Sequence, residues 1–173
     1  ASFQTKIFLL KFLMKGSPLF TFTQNFLVSQ ADLSAILDLK DKGIVSFAIG
    51  RNNNNQLVFD TFDLAVSRYP DAHPLFHSDR GYQYTSKQFK ARLDKAGMTQ
   101  SMSRVGRCID NGPMEGFWGI LKCEMYYQGN FKDYDSLVAA LEGYIHFYNY
   151  DRRQKKLNKL APMTYRQLLE NAA

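Results

Sequence analysis

The sequence predicts an α/β domain, and three observations lead to this prediction. Short β-rich runs at residues 33–39 and 44–49 are joined by a polar turn, which is typical of a hairpin. Amphipathic helical patterns and further short apolar runs then alternate along the chain. The 173 residues, of which 45% are hydrophobic and 22% are charged, are enough for one globular domain with its own core.

The elements can be assigned in chain order from the hairpin, whose turn is residues 40–43. Asparagines at 52–55 supply an N-cap for a helix with an apolar face, and Pro70 ends this helix. Residues 74–77 form a short strand that carries Asp79 at its carboxyl end, where open α/β sheets usually place ligands. The later elements are, in order, a helix at 85–96, a strand at 98–102, a loop at 103–112, a helix from 113 to about 127 and a helix from 133 to about 151.

The composition divides the chain into three predicted parts. Residues 1–31 contain no Asp or Glu and hold six of the 14 phenylalanines, so we interpret them as an atypical N-terminal segment. Residues 32–150 carry the ordered α/β pattern and form the predicted core. Residues 151–173 contain six lysine and arginine residues and are interpreted as a basic C-terminal tail.

Charge and cysteine content narrow the possible function classes. The net charge of +6 favours an anionic partner. Cys108 and Cys123 have no zinc-ligand spacing, so we expect reduced thiols in a cytoplasmic protein rather than a disulfide. His73 and His77 lack the cysteine pair of a zinc finger. The best apolar run, residues 7–14, is interrupted by a lysine and is too short to span a membrane, so no membrane partner is expected.

Asp79 and Glu115 are the candidate catalytic pair. Thirty-five residues separate them, and Lys122 follows the glutamate by seven positions. A carboxylate at a strand end and another on a later helix can converge on Mg²⁺, a hard ion that prefers oxygen ligands. Glu115 and Lys122 are two helical turns apart and share a face, so the lysine can hold a DNA phosphate. Simpler interpretations stay open: an ordinary turn at Asp79, a favourable helix dipole at Glu115 and a solvated Lys122.

The residues around this pair closely resemble a known family. The segments that carry the resemblance are 76–84 (Phe-His-Ser-Asp-Arg-Gly-Tyr-Gln-Tyr), 101–118, 121–124, 148–149 and 160–166. They are similar to the integrase-like core of bacterial insertion-sequence transposases that are expressed from two overlapping frames by frameshifting. The likeness extends over about residues 32–170.

The resemblance implies a ribonuclease-H-like fold, with a mixed central sheet flanked by helices, and a retroviral-integrase-like Asp-Asp-Glu site. It implies Mg²⁺- or Mn²⁺-dependent cleavage at element ends and strand transfer into target DNA, with self-association or assembly with intact transposase subunits. By position, Asp79 and Glu115 match the second and third metal-binding catalytic residues, and Lys122 matches the basic residue that follows. The predicted DNA contacts, from loops and tail, are Arg80, Arg104, Arg107, Lys122, Arg152 and Arg153.

The chain departs from the family where the first catalytic aspartate is expected. Counting back from the hairpin places that aspartate near residues 18–23, which read Pro-Leu-Phe-Thr-Phe-Thr and contain no carboxylate. One hypothesis is a shifted frame, or unrelated coding sequence fused to a truncated core. The alternative is a divergent first strand at residues 20–28. Asp38, on the neighbouring strand, could partly substitute for the first catalytic aspartate, although a structural role is the simpler interpretation.

We therefore expect a transposase catalytic core for DNA transposition that is a truncated remnant and inactive alone, because two metals need more carboxylates than the pair supplies. The alternative is a non-catalytic DNA-binding module or a dominant-negative partner of an intact transposase. A third class, a structural or interaction protein, would show no salt-dependent DNA binding.

Overall fold

A five-stranded mixed sheet forms the centre of the fold. The computed structural model describes residues 6–14, 31–103 and 112–172, and for residues 6–14 it describes the backbone. The sheet has the order β3-β2-β1-β4-β5. Its strands are β1 (Lys6–Met14), β2 (Ala31–Asp38), β3 (Ile44–Gly50), β4 (Leu75–Ser78) and β5 (Thr99–Met102).

The strand directions determine which turns and strand ends lie at each end of the sheet. Strands β1, β2 and β3 pair antiparallel, whereas β1, β4 and β5 run parallel. Ile7 is registered with Asp38, and Leu9 is registered with Ser78. The β2–β3 turn therefore lies at the end of the sheet opposite to the carboxyl ends of β4 and β5.

Six helices complete the described part of the chain, and side-chain caps explain where three of them begin. Asn54 Oδ1 accepts a hydrogen bond from the Leu57 amide, Ser86 Oγ accepts one from Phe89, and Asp133 forms a capping box with Ser136. The helices are α1 (Asn55–Arg68), α2 (Tyr82–Thr85), α3 (Lys87–Lys95), α4 (Gly112–Leu121), α5 (Tyr134–Tyr150) and α6 (Pro162–Asn171).

Helices cover both faces of the sheet, as alternation along β2 requires. Leu33 and Leu37 lie on one face, in a buried cluster with residues of α4 and α5 such as Phe117. Ile36 lies on the other face, in a cluster with residues of α1, β4 and α3 such as Phe76. Every residue of β2 is buried, including the polar Asp32, Ser34 and Asp38, because helices cover both faces of this strand.

The predicted hairpin, the Asn-capped helix and the two later strands are confirmed, with shifts of one to three residues at their ends. The predicted helix from 113 to about 127 is divided, because α4 ends at Leu121 and a π-helical turn, Lys122–Tyr126, follows. The segment interpreted as a basic tail contains a 3₁₀ turn, Lys155–Leu157, and helix α6. Pro162 in the first turn of α6 was the available sequence signal for this helix.

The N-terminal predictions are tested only in part. Residues 15–30, which include the hypothetical strand at 20–28, lie outside the described residues. The strand beside β4 is instead Lys6–Met14. None of the helices in the described ranges has the length and hydrophobicity needed to cross a membrane.

Candidate active site

Asp79 is the first residue after β4 and is half-buried. Its Oδ1 accepts a hydrogen bond of 2.6 Å from the Gly81 amide, which fixes the carboxylate within a tight turn. A Cβ atom on Gly81 would lie 2.8 Å from this oxygen and 3.3 Å from Tyr84 Cδ2. Glycine is therefore needed at 81 for the carboxylate to keep its place. The Tyr84 ring below is buried, and burial together with the Asp79 charge raises the pKa of its hydroxyl.

The strand that presents Asp79 is tied to β5 by a hydroxyl network. His77 is registered with Ser101, and its Nδ1 lies 3.0 Å from Ser101 Oγ while its Nε2 lies 3.2 Å from Ser103 Oγ. The Ser103 amide donates to the Ser78 carbonyl at 3.0 Å. Arg80 Nε in turn donates to the Ser103 carbonyl at 2.9 Å. These bonds hold the ends of the two strands together on either side of the aspartate.

Sequence reasoning missed this network, although a signal for it exists. Ser101 and Ser103 are two residues apart in and just after a strand, so they lie on one face, and parallel pairing brings His77 beside them. Only the pairing of β4 with β5, which the sequence does not state, reveals that the three side chains meet.

Glu115 lies in the first turn of α4 and is exposed. Met114 and Phe117 are buried beneath the helix. This apolar face sets the rotation of α4 about its axis, and so the side of the helix on which Glu115 lies. Helix α4 contacts β1, and β1 pairs with β4. Glu115 therefore belongs to the helix that covers the strand next to the Asp79 strand.

Lys122 is the first residue of the π-helical turn and is half-buried. Because α4 is regular up to residue 121, Glu115 and Lys122 keep the shared face that their spacing predicts. Glu124 in the same turn binds Arg152, whose Nη2 lies 2.6 Å and whose Nε lies 2.7 Å from the two carboxylate oxygens. This bond with Arg152 is the main reason that the pKa of Glu124 is lowered.

The residues predicted to contact DNA differ in their exposure and in their contacts within the chain. Arg80 and Arg153 are exposed. Arg152 is engaged by Glu124 within the chain, and its predicted role toward DNA stays a prediction. Arg104 and Arg107 lie outside the described residues.

The strand beside Asp79 has no carboxylate to offer. Leu9 is registered with Ser78, so Leu10 is the next position along β1, as Asp79 is the next position after β4. The nine residues of β1 contain neither Asp nor Glu. Within the described ranges, no group of three or more His, Cys, Asp and Glu side chains could hold a metal ion.

Asp79 and Glu115 carry oxygen donors of the kind that Mg²⁺ prefers, and proteins often hold this ion through one or two carboxylates, with water and substrate phosphate completing the octahedron. Binding of one ion by both side chains stays a prediction. Two carboxylates are fewer than the paired-metal arrangement uses, in which two ions share several carboxylates.

Asp38 has structural partners at the opposite end of the sheet. Arg166 of α6 reaches the β2–β3 turn, where its Nε lies 2.5 Å from Asp41 Oδ2 and its Nη2 lies 3.5 Å from Asp38 Oδ2. Arg166 Nη1 also donates to the Tyr69 hydroxyl at 2.7 Å. Burial and the neighbouring Asp41 charge raise the pKa of Asp38. These contacts support the structural interpretation of Asp38 over its role as a substitute metal ligand.

A second polar contact fastens α5 to the edge of the sheet. The buried Asn149 side chain accepts a hydrogen bond from the Ile44 amide at 2.8 Å and donates one to the Ile44 carbonyl at 2.9 Å. An amide side chain can satisfy both backbone groups at once, which an ionised carboxylate cannot, because it has no donor.

Two family models, both described as an integrase core domain, match the chain at residues 13–108 and 115–168. An uncharacterised transposase-like protein of Haemophilus influenzae is 40% identical over 134 residues, which are 78% of this chain and 62% of the relative. The putative transposase for insertion sequence element IS150 of Escherichia coli is 36% identical over 135 residues, 78% of this chain and 48% of the relative. The chain thus spans about half the length of such relatives.

Solved structures show the same fold at low sequence identity. The HTLV-2 integrase catalytic core domain in complex with magnesium, in its trimeric form, matches with a TM-score of 0.68 and 13% identity, covering 94% of this chain and 95% of that one. The catalytic core domain of BIV integrase matches with a TM-score of 0.64 and 13% identity, covering 98% and 97%. The predicted ribonuclease-H-like integrase fold is confirmed.

Proposed function

The chain belongs to the integrase core domain family, and on this premise we propose that it is the core of an insertion-sequence transposase that binds DNA but does not cut it alone. The observation that carries the second half of this proposal is the sequence of β1. The strand registered beside Asp79 has leucine where the chain would need a further carboxylate.

Binding of DNA is supported by the surroundings of the carboxylate pair. The chain carries a net charge of +6, and Arg80, Lys122 and Arg153 lie on or near its surface. Arginine and lysine at loop and helix positions are suited to phosphate oxygens, which fix the protein on the duplex without reading its sequence. The partner we propose is therefore DNA, at element ends and at the target site, with further copies of a transposase as assembly partners.

A single Mg²⁺ or Mn²⁺ would be held by Asp79 and Glu115. When bound, the ion would polarise a phosphoryl oxygen and so assist attack on the phosphodiester. The protein's own contributions are positional. Gly81 holds the Asp79 carboxylate through its amide, His77 and Ser103 hold the strand end beneath it, and Lys122 neutralises a backbone phosphate on the α4 side.

The experiment that tests DNA binding is fluorescence anisotropy with a labelled duplex of about 30 base pairs at several salt concentrations. The wild-type chain should bind with an affinity that falls linearly with the logarithm of salt concentration. Lys122→Gln should make that slope less steep by about 0.9, the value for one lost phosphate contact. Lys87→Gln, which removes an exposed lysine from α3, should leave the slope unchanged and serves as the matched control.

A lack of binding, or binding whose strength does not depend on salt, would contradict the proposal. Glu115→Gln should bind DNA at least as tightly as the wild type, because it removes a negative charge near the phosphates. Weaker binding by Glu115→Gln in the absence of divalent metal would contradict the assignment of Glu115 as a metal ligand.

A further inference from the structure

A cluster of lysines lies at the end of the sheet opposite to Asp79, where the β2–β3 turn meets the segment before α6. Lys42 is half-buried in the turn, whereas Lys155, Lys156 and Lys159 are exposed on the neighbouring segment. None of the ion pairs formed among the described residues involves these four lysines.

The β2–β3 turn is in direct contact with the start of α6, the helix that follows the lysine-bearing segment. A Cβ atom on Gly43 would collide with Met163 Cε and lie 3.4 Å from Pro162 Cβ, so the turn fits closely against the start of α6. Arg166 reinforces this contact through Asp41. The turn that carries Lys42 is thereby fixed against the helix that begins just after the lysine-bearing segment.

That segment is ordered by its own backbone. The Gln154 amide donates to the Leu160 carbonyl at 3.0 Å, and the Lys159 amide donates to the Gln154 carbonyl at 3.0 Å. Leu157 is buried and anchors the loop to the core. Residues 154–160 therefore form a closed loop that presents its lysines from fixed positions.

The backbone at two of the lysines adds a second observation. Lys42 and Lys159 both have a φ of 62°, in the left-handed region that glycine and asparagine adopt more easily than lysine. The fold thus holds lysine side chains at positions whose conformation does not favour them. Burial and then the nearby Lys156 charge lower the pKa of Lys42, whereas the Asp38 and Asp41 carboxylates oppose this lowering. Lys42 and Lys156 are therefore close enough to repel each other.

We propose that Lys42 and Lys156, with Lys155 and Lys159 beside them, form a second phosphate-binding surface that holds the backbone of duplex DNA away from the carboxylate pair. The inference rests on the proposed function, since it adds a second contact region to the same DNA. An anion placed between the lysines relieves their repulsion, and the spaced phosphates of a duplex can engage several of them together. Because the loop already has a fixed conformation, little conformational entropy is lost when DNA binds.

The test compares Lys42→Asn/Lys156→Gln with the matched pair Lys87→Gln/Lys95→Gln, which removes two exposed lysines from α3. Asparagine is chosen at 42 because it tolerates the left-handed backbone. With the labelled duplex at 0.1 M salt, the cluster variant should lose about tenfold or more in affinity, and its salt slope should be less steep by about 2. The α3 pair should change neither value, and Lys42→Arg should bind like the wild type.

Four results would overturn the inference. Equal losses in both pairs would show that only net charge matters. An unchanged cluster variant that still depends on Lys122 would remove the second surface while leaving the proposed function intact. Displacement of DNA by inorganic phosphate beyond the effect of ionic strength, in the wild type but not in the cluster variant, would assign the lysines to a free anion. Absence of DNA binding by the wild type would refute both proposals together. Matching thermal unfolding curves would establish that each variant is folded.

Discussion

Replacement of Arg166 by methionine should lower the free energy of unfolding by about 3 kcal/mol at pH 7. The arginine bridges Asp41 and the Tyr69 hydroxyl and lies near Asp38. The side chain of Asp41 is 3% exposed and that of Arg166 is 15% exposed, so the ion pair is largely withdrawn from water. Removing one partner of a buried pair costs about 3–5 kcal/mol, and the residual exposure of the arginine favours the lower end of that range.

The loss of unfolding free energy in the methionine variant should be smaller in acid than at pH 7, because of the pKa of Asp38. Burial raises the pKa of Asp38 in the folded state, and Arg166 partly opposes the rise. A carboxyl whose folded pKa is raised contributes stability at low pH that is lost as the pH rises through that pKa. Without Arg166 the pKa of Asp38 rises further, so the variant gains more than the wild type from protonation below neutral pH.

Urea unfolding at pH 7 and pH 5, followed by circular dichroism, measures both effects. Lys90→Ala, which breaks an exposed helical pair with Asp94, is the control and should cost no more than about 0.5 kcal/mol at either pH. Adding Asp41→Asn to the methionine variant should recover part of the loss, because the uncompensated charge is removed while Oδ1 still accepts from the Gly43 amide. A loss below about 1 kcal/mol, or one that does not change with pH, would refute the reasoning.

Two further substitutions test the contacts that hold the edge of the sheet and the candidate site. Asn149→Ala should destabilise the domain by about 2–4 kcal/mol in urea unfolding, because the buried amide and carbonyl of Ile44 lose both partners, and a cost under about 1 kcal/mol would contradict this. Gly81→Ala should displace the Asp79 carboxylate and weaken Mn²⁺ binding, measured by calorimetry, about tenfold with little change in stability. Gly116→Ala on α4, where a Cβ meets nothing within 4 Å, is its control, and equal effects of the two would exclude a steric cause.

Local rules predicted the core of this fold well. The hairpin at β2 and β3 follows from two apolar runs and a polar turn, and the start of α1 follows from an asparagine cap that the structure places at Asn54. The strand before Asp79 follows from a short apolar run.

Long-range contacts could not be predicted in the same way. Asn149 and Ile44 are 105 residues apart, and Arg166 and Asp41 are 125 residues apart. Neither residue of such a pair lies in a local pattern that indicates the other. A segment rich in charged residues is normally interpreted as exposed to solvent. The C-terminal segment was therefore interpreted as a tail, although α6 is fastened to the β2–β3 turn.

In the candidate site, too, the sequence predicted the local features but not the contacts between distant elements. The spacing of Asp79, Glu115 and Lys122 was visible in the sequence, but the network that supports Asp79 depends on the pairing of β4 with β5. The lack of a carboxylate near the expected first position was also visible. The strand that occupies the place beside β4 was not, because the apolar residues of the N-terminal segment have no clear period.

Nicking of supercoiled plasmid in Mg²⁺ or Mn²⁺, by the wild-type chain and by Glu115→Gln, tests the central claim most directly. A two-carboxylate site predicts that both proteins bind the plasmid in a salt-dependent manner and that neither nicks it. Nicking by the wild type that disappears in Glu115→Gln would show that another ligand completes the site, and would contradict the proposal that this core does not cut DNA alone.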